Sequence, residues 1–209
     1  YNIDLLNSLT NSITDPSGTT TNYTYDNITL LLEAVTSGDS SVSYEYDQYN
    51  RLTQIQHNGF TYHFAYDKFG NTSTVKVGDQ TLMTNTYGEG NGLLLSETYG
   101  NGTVYAYTYD EYGRVIKVSI NGTDRYATVY NAKGQIAEIK DLVNNEKTVY
   151  TYDISGRLLK ISQSGGKSIS TGYDILNRVT AINYQFAGQT KTVSFGYGQD
   201  GQKGESTLL

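Results

Sequence analysis

The residues best equipped for chemistry in this chain fall into columns rather than clusters. Aspartate stands at Asp47, Asp67, Asp110, Asp153 and Asp174, each preceded by tyrosine and followed three residues later by Asn50, Gly70, Gly113, Gly156 or Asn177. Arginine comes next in four of the five, as Arg51, Arg114, Arg157 and Arg178. A row of carboxylates could bind calcium or move protons, and a row of guanidinium groups could read an anion. Yet the aspartate column also contains Gly88, Asn131 and Gly198, and neither metal ligation nor acid–base work survives those replacements. Asp at the first and Gly or Asn at the fourth position of a turn needs no such role. The carboxylate accepts nearby backbone N–H groups, and Gly or Asn tolerates positive φ. The column is therefore expected to define turns. Each arginine is expected to lay its stem across a neighbouring tyrosine and pair with the aspartate of an adjacent turn.

Other candidates are weaker still. His57 and His63 flank Asn58-Gly59-Phe60 on different strands, with Asp67 the nearest further ligand, too few for a zinc site. Gly88-Glu89-Gly90-Asn91-Gly92 resembles a phosphate loop, but no helix signal follows it, so it reads as a turn. The chain contains no cysteine, no Gly-x-Ser-x-Gly and no His-Glu-x-x-His. No catalytic, cofactor-binding or metal-binding residue is expected, and no enzyme class is supported.

Tyrosine is the remaining resource, 21 residues in 209. Tyr105, Tyr107 and Tyr109 alternate with Val104, Ala106 and Thr108, which places the three rings on one face of a strand. Exposed, such a row could stack on sugar rings or hold a protein. Buried, it would form a core, and burial is the expectation.

Turns of this kind must be positioned by strands. Counting degenerate copies, the aspartate column runs Asp4, Asp26, Asp47, Asp67, Gly88, Asp110, Asn131, Asp153, Asp174 and Gly198, ten copies at spacings of 20 to 24 residues covering 1–209. Between successive copies lies a second turn, clearest as Asn58-Gly59 and Asn121-Gly122. Each unit thus reads as two strands and two turns, and the chain as an all-β meander of about twenty short strands. After each arginine corner the apolar residues differ by three, as in Leu52 and Ile55 or Leu158 and Ile161. Either a bulge follows the turn or both faces are covered there. Helix signals are absent except for an ambiguous stretch at Thr29–Thr36.

Composition sets the outer limits. Net charge is −6 with no basic patch, which argues against a nucleic-acid partner. No apolar run approaches the length of a membrane span, and no signal peptide is evident. Hydrophobic residues make up 37%, a count that includes the tyrosines, so any core should be built largely from their rings.

The copies YEYDQYNRL, YTYDEYGRV and YTYDISGRL resemble the YD repeat of the Rhs family, related to toxin-complex and teneurin proteins. Asp15-Pro16-Ser17-Gly18 resembles the Asp-Pro-x-Gly that often precedes such a unit. The resemblance implies a strongly twisted, spiral β-sheet shell that encloses or presents a C-terminal toxin or effector region. It implies a secreted or cell-surface bacterial protein, stored in the cytoplasm before export, whose partners are the other repeats and the C-terminal region of a longer chain. The family's autoproteolytic aspartate has no counterpart here, and the chain is expected to be a fragment. No cofactor is implied. A tyrosine face that binds cell-wall glycan or a surface protein is the alternative, and two exposed sheet edges would permit edge-to-edge oligomers.

Overall fold

The structure is a computed structural model that describes residues 2–4, 7–198 and 201–208. Every described element is a strand, and strands consecutive in sequence pair antiparallel from β1 to β10 and again from β12 to β20. The chain divides into two compact units, residues 1–105 and 106–209.

In the first unit the strands are β1 (Asn2–Asp4), β2 (Leu9–Thr14), β3 (Thr20–Tyr25), β4 (Leu32–Ser37), β5 (Ser40–Tyr46), β6 (Leu52–His57), β7 (Phe60–Tyr66), β8 (Thr72–Val77), β9 (Gln80–Tyr87) and β10 (Leu94–Tyr99). Strand β11 (Val104–Tyr109) carries the division between the units. The second unit holds β12 (Val115–Ile120), β13 (Thr123–Tyr130), β14 (Ile136–Asp141), β15 (Glu146–Tyr152), β16 (Leu158–Gln163), β17 (Ser168–Tyr173), β18 (Val179–Phe186), β19 (Gln189–Tyr197) and β20 (Lys203–Leu208). The ambiguous stretch at Thr29–Thr36 resolves as a turn running into β4. The side chain of Asp4, first in the repeat column, lies outside the described residues.

The two kinds of turn have different backbones. At Asn58-Gly59 and Asn121-Gly122 both central residues have positive φ, and the flanking residues pair as His57↔Phe60 and Ile120↔Thr123. That is the two-residue hairpin whose twist matches its strands. At the aspartate turns the chain makes a longer corner. Asp47 N–H donates to the Arg51 carbonyl at 2.9 Å, and Asn50 N–H to the Asp47 carbonyl at 3.0 Å, with Asn50 at φ 62°. Gly113 and Gly156 stand in the same place with φ 74° and 88°.

A bulge follows the corners at Asp26, Asp47, Asp67, Gly88, Asn131, Asp153 and Asp174, which accounts for the spacing by three. Tyr46 pairs with Leu52 but Glu45 with Gln54, so Thr53 is an extra residue in β6. The same shift places an extra Leu159 after Leu158 and an extra Thr180 after Val179. One inserted residue reverses the alternation of faces, so Leu52 and Ile55 share a side.

The expected core is not there. Among the described residues no side chain, apolar or polar, is fully buried. The side chains of β3 alternate exposed and half-buried, with Thr21, Tyr23 and Tyr25 on the better-covered face. A single antiparallel layer has nothing to bury its better face against, so tyrosine rings cover one another and the neighbouring strand only in part.

Candidate functional site

The corner after each tyrosine–aspartate pair is the most elaborate construction in the molecule. At Asp47, Oδ1 accepts N–H bonds from Tyr49 at 2.8 Å and Arg51 at 3.1 Å. Oδ2 accepts from Arg51 Nε at 2.7 Å and Nη2 at 2.6 Å. The Arg51 hydrogen bond is the chief reason the Asp47 carboxyl titrates below its ordinary value. Partial burial pushes the Asp110 carboxyl up, but Arg114 and the N–H groups of Arg114 and Tyr112 outweigh it, and its net shift is also downward. Asp153 and Asp174 repeat the arrangement, with Arg157 Nε at 2.6 Å and Arg178 Nε at 2.7 Å.

These geometries correct the expected pairing. Each arginine salt-bridges the aspartate of its own turn, four residues earlier, and not that of an adjacent turn. The neighbour it reaches is the tyrosine of the following repeat. Arg51 lies over the Tyr66 ring at 4.5 Å, Arg114 over Tyr130 at 4.4 Å, Arg157 over Tyr173 at 4.6 Å and Arg178 over Tyr197 at 4.3 Å. Arg157 Nη1 goes further and donates to Asn177 Oδ1 at 2.7 Å, one repeat on. Where Gln135 replaces arginine, its Nε2 donates to the Gly156 carbonyl at 2.8 Å.

The tyrosine completes the link. Tyr66 donates its hydroxyl to the Leu52 carbonyl at 2.6 Å, Tyr130 to Val115 at 2.9 Å and Tyr173 to Leu158 at 3.0 Å. Each acceptor is the first strand residue after the previous corner, and at Leu52 and Leu158 a bulge disturbs the ladder there and leaves a carbonyl in want of a donor. Tyr46, Tyr87, Tyr152 and Tyr197 make the same bond to Leu32, Thr72, Ile136 and Val179, and Tyr25 makes a longer one to Thr10, the second residue of β2. This role was missed in the sequence, although the tyrosine before each aspartate marks it.

Not every corner is complete. Asp67 keeps its N–H bonds from Phe69 and Asn71, but Asn71 stands in the arginine's place. At Gly88 the corner has no carboxylate; Gly92 N–H donates to the Gly88 carbonyl at 2.9 Å in a turn one residue wider. Tyr105, Tyr107 and Tyr109 are half-buried on alternate positions of β11, with Tyr105 edge-on to Tyr99 at 5.8 Å between centroids. His57 lies opposite Phe60 and His63 opposite Gln54. No group of three His, Cys, Asp or Glu able to hold a metal ion occurs among the described residues.

An open groove of about 500 Å³ lies on the sheet of the second unit. Its floor is the register row Tyr150, Ile161, Ile169 and Tyr184, each directly opposite the next across β15 to β18.

Comparison with known proteins fits this construction. The RHS Repeat family profile matches residues 89–124. No curated protein sequence matches the chain. Its fold is similar to the crystal structure of TcdB2-TccC3, with TM-score 0.73 and 14% identity over 93% of this chain. It is similar to TcdB2-TccC3-Cdc42 with TM-score 0.69 and 16% identity over 93%. The Photorhabdus luminescens Tc holotoxin pore matches with TM-score 0.68 and 13% identity over 97%. The chain spans 12% of the length of the first two and 14% of the third.

Proposed function

We propose that this chain, one of the Rhs/YD-repeat family, works as a scaffold wall whose task is to enclose or present another region of a longer exported protein. The observation that carries this reading is the corner. Aspartate, arginine and the next tyrosine join each repeat to its successor, leaving their polar groups engaged with one another rather than aimed at a substrate. Depressed carboxyl pKa values here come from structural partners, not from a catalytic pair. A layer in which no described side chain is fully buried also behaves as a partition, able to face different surroundings on its two sides. The Photorhabdus luminescens Tc holotoxin pore, which shares the fold, is a bacterial toxin assembly, and this supports a bacterial, extracellular setting.

The second reading is an adhesive module, favoured by the apolar groove over Tyr150, Ile161, Ile169 and Tyr184. Co-sedimentation of the purified chain with bacterial cell walls and insoluble polysaccharides separates the two. Absence of saturable binding supports the scaffold. Saturable binding that is lost in a folded Tyr184→Ala or Tyr107→Ala/Tyr109→Ala variant replaces the scaffold with the adhesin.

A further inference from the structure

Four corners supply their own guanidinium group, and the Asp67 corner does not. Asn71 Nδ2 reaches Asp67 Oδ2 at 3.0 Å and ends there, whereas Arg51 brings two nitrogens to Asp47 Oδ2 and continues over the next tyrosine. The next tyrosine at the Asp67 corner is Tyr87. Its hydroxyl still donates to the Thr72 carbonyl at 2.9 Å, so the ring is held as in the complete corners. Over it lies an open cavity of about 390 Å³, bounded by Asp67, Phe69, Asn85, Tyr87 and Glu89.

Asn85 is the second departure at this place. Three residues before the turn, Tyr44, Phe64, Tyr107 and Tyr150 supply a ring to their repeats; here the residue is an amide. Asn85 Nδ2 donates to the Thr72 carbonyl at 3.0 Å and to Tyr87 Oη at 3.3 Å, which fixes the orientation of the amide. Its Oδ1 is buried with no hydrogen-bond partner, the one such side-chain atom among the described residues. A buried acceptor without a donor is costly, by about 1–3 kcal/mol in general experience.

We propose that this corner binds an external guanidinium group in the place that arginine fills elsewhere in the chain. A guanidinium is a planar cation with five N–H donors and no acceptor. Its plane stacks on Tyr87 and one edge donates to Asp67 Oδ2, while the Asn85 amide oxygen, buried and unpartnered beside the cavity, becomes an acceptor for a further N–H once the amide turns outward. Glu89 supplies a second carboxylate. Lys68, the one cation at the cavity, lies over the Phe69 ring at 5.0 Å and leaves the Tyr87 ring clear. The Asp26 corner, a turn one residue wider, also lacks arginine, with Leu31 in its place, but no orphaned acceptor accompanies it among the described residues. The site goes beyond the scaffold reading and does not depend on it.

The guanidinium could come from a free small molecule or from an arginine of another polypeptide, and two titrations of the purified chain distinguish them. Ethylguanidinium represents the first and N-acetyl-arginine amide the second, with ethylurea as the uncharged isostere. NMR shifts of the Asn85 side-chain amide report occupancy. Saturable shifts with both cations are expected, and none with ethylurea. Saturation by the arginine amide alone assigns the site to a polypeptide arginine. Asn71→Arg supplies the group from within and should weaken external binding by about tenfold or more, while its melting temperature stays level or rises. Glu89→Gln, at an exposed position, should weaken binding by about threefold. Absence of saturation with either cation overturns the proposal. So do equal shifts with ethylurea, or affinity unchanged in both variants.

Discussion

Replacing Tyr66 with phenylalanine removes one atom from the link between repeats and leaves the rest of the corner in place. The lost hydroxyl donates to the Leu52 carbonyl at 2.6 Å, while the ring that remains still lies 4.5 Å beneath Arg51. A hydrogen bond of this kind contributes about 0.5–1.5 kcal/mol net. Leu52 is half-buried, so water can reach the abandoned carbonyl in part, which holds the cost near 1 kcal/mol rather than the ~3 kcal/mol of a sealed orphan. For a chain of this length the melting temperature should fall by about 2–4 °C. Tyr66→Leu discards the ring as well, and the loss of Arg51 stacking adds about 0.5–1 kcal/mol. Thermal melts followed by circular dichroism give the totals. Amide exchange at Leu52 and Thr53 gives the local effect, which matters because repeat chains need not unfold in one step. A Tyr66→Phe protein that melts like the parent, with exchange at the bulge unchanged, refutes the role assigned to the hydroxyl. Identical losses in the Phe and Leu variants refute the role assigned to the arginine.

Three further outcomes are expected. Ala187 sits in a two-residue hairpin with φ 50°, a conformation that costs a non-glycine residue about 1–2 kcal/mol, so Ala187→Gly should raise the melting temperature; a fall would show the strain is absent. Gly156→Val places a branched side chain at φ 88° with Gln135 Nε2 only 3.3 Å from its Cβ, and should destabilise by about 1–3 kcal/mol in urea unfolding; no loss would contradict the turn assignment. The carboxyls of Asp47, Asp110, Asp153 and Asp174 titrate below their ordinary value of 3.8 in the folded chain. Their contribution is therefore full above about pH 4 and fades as pH falls through the folded values. Melting temperature measured from pH 7 to pH 3 should drop at the acid end, and less steeply in Arg51→Met; an equal drop would assign the acid sensitivity to other groups.

Turns were the part of this molecule most open to reading in advance, because they depend on residues next to one another. Asp-x-x-Gly and Asn-Gly state their backbone directly, and the Leu52–Ile55 spacing already contained the bulge as one of two possibilities. What escaped was set across strands. The arginine's partner could not be chosen from spacing, since a separation of four brings side chains together only once the corner has folded back. The tyrosine hydroxyl bonds span 14 to 18 residues and depend on a carbonyl displaced by a bulge, a feature with no residue type of its own. Tyrosine content suggested a core, but counting rings says nothing of whether a second layer exists to cover them. The aliphatic turn tips Ile154 and Ile175, 95% and 98% exposed, were equally invisible as a surface feature. The cavity at Tyr87 was partly legible, because Asn71 and Asn85 both depart from their columns; only the structure brings the departures together.

That no side chain among the described residues is fully buried has a consequence for growth. A globular domain is sized by its interior, and a duplicated segment must find room in packing that is already full. Here each hairpin answers only to the hairpins on either side. One more copy of about 21 residues adds two strands, about 9.5 Å of sheet, and a corner that already fits its neighbours. Length becomes a free variable, adjustable by unequal recombination in whole steps. A gene built this way can lengthen or shorten its product without ever passing through an unfoldable intermediate.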